Sequence, residues 1–419
     1  MKKQLSGIFF LLSLCNLIAQ SQKIKIFDIE GVKKNDPKFL KNIVKGAGGV
    51  PLDSAILIND IRKLKRLPGI ANAQFEVTDR EDGGVNVTYH IEESFTVIPE
   101  VNIWSRNDIF SFRAGVYDFN FLGKGMTVGG FYQYNGFSAY GVNFRAPYLL
   151  GRNWGIAVNH QNWTSEEPVF FSEGTANYKY SNTSFEILAL LEIDENNRLE
   201  FGFNVFEEEY DFLSGLEASE IPQSLDLNKL LFKSVYTFDR LRYNYQYIEG
   251  IKTNLYTQYV VTKNNFQDDF FIFWNDFFYF KRIGERGNWA NRLRFGISSN
   301  EETPFAPFSV DNNVNIRGVG FIIDRGTASL VLNTEYRYTL IDKSWFVLQG
   351  NVFTDIGTWR NPGGDFSDFT DPDNYRIYPG VGLRFMHKGI YNAVFRIDYG
   401  YGISKNANQG IVFGIGQYF

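Results

Sequence analysis

Leu330-Val331-Leu332-Asn333-Thr334-Glu335-Tyr336-Arg337-Tyr338-Thr339-Leu340 decides how the rest of the chain is read. Its even positions are apolar or aromatic apart from Thr334, and its odd positions carry Asn333, Glu335, Arg337 and Thr339. A period of two is the mark of a strand whose faces meet different surroundings. The next stretch repeats it, with Phe346, Leu348, Val352 and Ile356 on one face and Gln349, Asn351, Phe353 and Asp355 on the other. Val381, Leu383 and Phe385 then oppose Gly380, Gly382 and Arg384, and Phe395, Ile397 and Tyr399 oppose Arg396 and Asp398. All the charges fall on one face. A charge turned toward lipid at the bilayer midplane costs about 2–4 kcal/mol, so this sorting predicts lipid outside and a polar lumen inside.

Working outward, the same alternation fills the chain from Thr96 to Phe419. Runs of alternating residues are separated by short turns and longer polar loops by turns, which predicts a transmembrane antiparallel β-barrel of about sixteen strands. Residues 147–153, 194–198, 283–287, 342–344 and 387–389 read as short turns on one side, and 214–228, 300–326 and 361–374 as loops on the other. Composition agrees: aromatics are 17% of the chain, with 39 glycines and one cysteine. A mean hydropathy of −0.24 is compatible with a barrel, whose alternating strands average out, and no mature stretch is apolar for the roughly 18 residues of a spanning helix. The net charge of −5 argues against a nucleic-acid partner.

Ahead of the barrel, residues 1–20 read as a signal peptide: Lys2 and Lys3, an apolar run from Ile8 to Leu14, then Ala19. Leu14 before Cys15 is a poor fit to lipoprotein cleavage, so Cys15 is expected to leave with the signal. Residues 23–95 differ from the barrel, with a strand from Lys23, helices near 37–45 and 53–67, and strands at 73–79 and 85–92, an order βααββ. In the second helix Leu57, Ile61 and Leu64 share one face while Arg62, Lys63, Lys65 and Arg66 take the other. That basic face is expected to be solvated.

The long loop at 300–326 carries Ile316-Arg317-Gly318. If the two strands after it belong to a closed barrel, Glu335 and Asp355 point inward, and the loop can fold into the lumen and set Arg317 on both. Catalytic constellations are absent from the pattern: His90, His160 and His387 are scattered, and no metal, cofactor or enzymatic activity is expected. Asp365, Asp368, Asp371 and Asp373 in one outer loop read as a solvated loop rather than a calcium site.

The βααββ segment, with Leu64-Lys65-Arg66-Leu67-Pro68-Gly69-Ile70 leading into Phe75-Glu76-Val77, resembles a POTRA domain. Ile316-Arg317-Gly318, the 333–337 strand, Phe353-Thr354-Asp355-Ile356-Gly357, Gly380-Val381-Gly382-Leu383-Arg384 and Arg396-Ile397-Asp398-Tyr399-Gly400, in this order, resemble the BamA-type insertase and translocase superfamily. Thr237-Phe238-Asp239-Arg240 resembles its mid-barrel motif. The resemblance implies sixteen strands, an outer-membrane location with the POTRA-like domain in the periplasm, and Arg317 inside the barrel, paired with Glu335 and Asp355. It also implies a seam between first and last strands that opens laterally for nascent or secreted protein clients, with outer-membrane lipids and lipopolysaccharide around it. Pro99 in the first strand and Gly414 and Gly416 in the last are the seam candidates, and Asn102 with Ile415 is the cysteine pair expected to lock it. The terminal Phe419, closing Ile411 to Tyr418, resembles the assembly signal of outer-membrane proteins. One POTRA-like domain is expected where the general assembly proteins carry several, and no plug helix or fused hydrolase is expected. The alternatives are therefore an insertase or translocase and a dedicated channel or scaffold serving one envelope complex, with a docking site for a separate hydrolase a weaker third. Whether Arg317 braces the barrel or tunes its opening is left open by the sequence.

Overall fold

The computed structural model describes residues 22–419 except 107–108, 172–173, 218–221, 264–267, 302–305, 311–314, 320–323 and 406. The expected signal segment 1–20 lies outside the described residues.

The N-terminal unit runs β1 (Ile24–Glu30), α1 (Pro37–Ile43), α2 (Ser54–Lys65), β2 (Ile70–Asp79) and β3 (Val85–Glu93). β3 is central, parallel to β1 and antiparallel to β2. Both helices start on an aspartate: Asp36 accepts from the Lys38 and Phe39 amides with Pro37 in the first turn, and Asp53 accepts from the Ala55 amide. Leu40, Leu57 and Leu64 pack on Val85, Val87, Tyr89 and Ile91. A buried carboxylate, Asp60, is satisfied by the Gly46 amide at 2.7 Å and the Tyr89 hydroxyl at 2.9 Å.

Seventeen strand segments close into the barrel, and the short Arg242–Asn244 segment continues Ser224–Asp239 along one partner, so the wall has sixteen staves. Closure joins the first stave, Val97–Arg106, to the last, Gln409–Ile415. The alternation holds: Leu330, Leu332, Val352, Val381, Leu383, Phe395 and Ile397 are exposed on the outer surface, while Asn333, Glu335, Arg337, Asp355, Arg384 and Asp398 are buried within. Stave height is uneven. Trp154–Phe171, Gly174–Glu192 and Asn197–Gly215 have 18, 19 and 19 residues, whereas Val394–Tyr401 and Gln409–Ile415 have 8 and 7. A spanning strand needs about 9–11 residues, so one wall stands well clear of the bilayer while the wall beside the closure is thin.

Two expectations change. The basic face of α2 is a docking surface against the barrel's underside, not a solvated one. Arg66 donates to the Glu195 carbonyl oxygen at 2.5 Å and the Asp239 carbonyl oxygen at 2.7 Å, Lys63 pairs with Glu192 at 2.6 Å, and Lys45 and Glu195 form an ion pair. The acids that match the helix belong to turns more than a hundred residues away, which local periodicity does not reveal. The last strand also stops at Ile415: Gly416, at φ +90°, turns the chain inward. Tyr418 is buried, and Phe419 packs on the Leu241, Phe280 and Ala290 cluster, its carbonyl oxygen accepting from Arg337 Nη2 at 3.3 Å. The polar lumen offers these rings guanidinium faces.

Candidate functional site

Arg317 lies inside the barrel at 0% exposure. It is carried there by the loop, whose Ile316 packs on Val310, Val331, Trp359 and Tyr378. Its Nε and Nη2 donate to the two oxygens of Asp355 at 2.8 and 2.9 Å, a bidentate fork, and its backbone amide donates to Asp355 Oδ2 at 2.9 Å. The remaining nitrogen, Nη1, donates to Glu335 Oε2 at 2.6 Å and stands 3.6 Å from Asp398. One guanidinium thus links staves Ala328–Asp342, Phe346–Arg360 and Val394–Tyr401.

Glu335 is the shared anion of the cluster. Arg384 donates to it twice, at 2.8 and 2.9 Å, and Arg337 Nε donates to it from two residues along the same strand. Asp398 receives Arg396 Nη1 at 3.1 Å. Four guanidiniums meet three carboxylates, and aromatic faces take up part of the excess: the Arg317 guanidinium lies 3.6 Å from the Phe353 ring centre and 4.6 Å from that of Tyr418, which Arg396 also approaches at 4.8 Å. Arg337, Arg384, Arg396 and Asp398 were legible as lumen residues, but period-two alternation gives a face and not a height, so their convergence was not.

Gly318 follows at φ +93°, a conformation costly for any side chain. A Cβ on Gly318 would lie 2.7 Å from the Gly400 Cα, and one on Gly400 would lie 2.2 Å from the Arg317 carbonyl oxygen. Loop and stave touch backbone to backbone, which explains the glycine closing Arg396-Ile397-Asp398-Tyr399-Gly400. Gly400→Val is accordingly expected to lift the loop, lowering stability by about 1–3 kcal/mol through overpacking and exposing residues 315–319 to protease. Unchanged cleavage and an unchanged unfolding temperature would contradict this packing.

The seam candidates separate. Gly414 makes room for a neighbour, since a Cβ there would stand 2.6 Å from the Arg396 guanidinium carbon, and Gly416 is the inward bend. Pro99 sits opposite Val116 in the first stave. Glu100 pairs with Arg113 at 2.7 Å, and Asn102, opposite Arg113, takes the same inward face, whereas Val101 and Ile415 are exposed outside. Asn102 and Ile415 therefore face opposite ways and cannot be bridged. In the acidic outer loop Asp365 and Asp371 cap short 3-10 turns, Asp368 accepts from the Asn361 amide, and Asp373 pairs with Lys405 at 2.6 Å.

No family model matches the chain, and no curated protein matches it. Solved structures do. BamA from Haemophilus ducreyi lacking POTRA domains 1–3 is 15% identical with a TM-score of 0.55, covering 94% of this chain and 83% of that one. CdiB from Escherichia coli is 12% identical with a TM-score of 0.60, covering 93% and 75%. CdiB from Acinetobacter baumannii is 10% identical with a TM-score of 0.59, covering 94% and 73%. At such identities the likeness is one of fold, and it extends over nearly the whole chain: a BamA-type transmembrane β-barrel in a short form, with a single βααββ unit among the described residues.

Proposed function

We propose that this chain is an outer-membrane barrel that assists insertion of outer-membrane proteins, or passage of protein across the outer membrane, through its seam, with the βααββ unit acting as a POTRA-like domain in the periplasm. The observation that carries this reading is the thin closing wall. The last stave has 7 residues and its neighbour 8, fewer than the bilayer core requires. A stave too short to span thins the lipid beside it. It also shares few backbone hydrogen bonds to break, so a client strand can pair with the freed edge and keep its polar groups satisfied. On the periplasmic side β2 is an edge of its sheet, suited to receiving an extended client segment by strand addition.

A second reading, a dedicated channel or scaffold for one envelope complex, is favoured by the ties between domain and barrel through Arg66, Lys63 and Lys45. Such ties suit a fixed platform. Cysteines at Val101 paired in turn with Ile411, Phe413 or Ile415, all exposed on the outer surface, will lock the seam at whichever pair is in register. The protein is reconstituted in vesicles, an unfolded barrel client is added, and its folding rate is compared before and after reduction. Insertion is expected to stop when locked and return on reduction; an unaffected rate in the locked protein would sink the insertase reading.

A further inference from the structure

Two turns at the barrel end that meets the N-terminal unit hold residues that neither the lumenal cluster nor the seam uses. Leu122 sits at the tip of the turn between Ile109–Phe121 and Met126–Tyr134, 64% exposed and at φ +57°. A branched apolar side chain in that backbone conformation is strained, and turns of this kind ordinarily take glycine, asparagine or aspartate. The turn between Ser138–Ala146 and Trp154–Phe171 carries Leu149 and Leu150, the latter 72% exposed. Helix α1 is wedged between them: the Asp36 amide donates to the Gly123 carbonyl oxygen at 3.0 Å, and the Phe39 and Tyr148 ring centres are 5.9 Å apart.

This wedge brings Lys34 and Lys38 beside Lys124 of the turn, all three exposed. Two acids meet these three lysines and leave a net positive charge: Glu93 is taken up by backbone amides, and Asp36 forms a loose ion pair with Lys124. Asp36 caps α1 through the Lys38 amide at 2.8 Å and stands 3.9 Å from Lys124, and Glu93 accepts from the Lys34 and Asn35 amides at 2.9 and 2.8 Å. Exposed leucines on turns at the ends of lipid-facing staves, with exposed ammonium groups on the same turn and on α1, match an acyl layer beside a layer of phosphates.

We propose that these two turns and α1 form a face that binds anionic phospholipid headgroups in the bilayer leaflet nearest the N-terminal domain, with Leu122, Leu149 and Leu150 in the acyl region and Lys34, Lys38 and Lys124 on the phosphates. It rests on the transmembrane fold and is independent of any client. Placed so, the face fixes the height of the first staves in the bilayer and holds the N-terminal unit against the membrane.

The test uses the full chain carrying Leu122→Trp, folded into phosphatidylcholine vesicles containing a minority of phosphatidylglycerol, with one lipid or the other brominated on its acyl chains. Quenching is read as the difference from the same protein without the new tryptophan. Brominated phosphatidylglycerol is expected to quench as if enriched about fivefold over its mole fraction, the factor one lysine contributes at an anionic surface. Lys34, Lys38 and Lys124 changed together to Ala should abolish the enrichment while leaving quenching by total lipid. Leu150→Trp provides a second probe on the other turn. Quenching in proportion to mole fraction, enrichment that survives the triple change, or no quenching by either lipid at both positions each overturns the proposal.

Discussion

Glu335→Gln is expected to lower the stability of the barrel by about 3–5 kcal/mol, the cost of removing one partner from a buried ion pair. The size follows from sharing: Glu335 accepts from Arg317 at 2.6 Å and from Arg384 at 2.8 and 2.9 Å, with Arg337 on the same oxygen as one Arg384 contact. A neutral amide leaves these guanidiniums repelling one another in a space where water cannot replace the lost charge, and turns an N–H donor toward donors. The temperature at which the folded band of an unboiled sample gives way on a denaturing gel should fall. Arg317→Ala should fall as well, because Asp355 then loses both arms of its fork. Arg384→Gln, added to Glu335→Gln, should recover part of the loss, since it removes one uncompensated cation, and the double-mutant cycle should show strong coupling. Additive losses, or an unshifted band for Glu335→Gln, would mean that the cluster does not brace the barrel. Carboxylates and guanidiniums so placed tie three staves and the long loop to one point beside the closure.

Much of this was legible in period-two alternation. A strand buried on one side and in lipid on the other leaves no freedom in which face its charges take, so the inward position of Glu335, Asp355, Arg384 and Asp398 followed from their neighbours alone. Their shared height did not, because it depends on stave tilt and stagger around a closed ring, which no single strand encodes. Gly400 likewise gives no local hint that a loop's backbone lies on it. The end of the chain misled for a related reason: Ile411 to Phe419 alternates well enough to continue as a strand, and only the backbone of Gly416 diverts Tyr418 and Phe419 into the lumen. Charge on a helix is usually solvated, so the sequence alone turns the basic face of α2 to water. Its partners Glu192, Glu195 and Asp239 lie at turns that meet the helix only once the barrel has closed.

That docking carries the second large effect. Arg66→Glu is expected to loosen the N-terminal unit from the barrel by about 2–5 kcal/mol, the usual loss when a buried, hydrogen-bonded charge at an interface is broken. Arg66 is held by two carbonyl oxygens and stands 3.5 Å from Asp239, so the replacement puts a carboxylate against oxygen on every side. Amide exchange at residues 192–198 should quicken while the barrel's unfolding temperature stays near that of the parent. The Lys45–Glu195 pair beside it should respond to pH, which separates the two contributions. The hydrogen bond from Lys45 holds Glu195 below its usual range, and the same bond raises Lys45. A depressed carboxylate contributes above its free value of 4.5 and loses that contribution as pH falls through the docked value; a raised lysine contributes below its free value of 10.5 and loses it as pH rises beyond. The pair therefore acts in full between roughly pH 5 and 10. Being largely exposed, it should weaken with salt, whereas the Arg66 contacts should not. Protection at residues 192–198, taken relative to the intrinsic exchange rate at each pH, that falls in acid and salt for the parent, and is low under all conditions for Arg66→Glu, is the expected result. Indifference to Arg66→Glu would mean that the domain is held by its linker, where the Phe95 amide donates to the Gly389 carbonyl oxygen at 2.9 Å, and that the basic face of α2 only lies near the barrel without securing it.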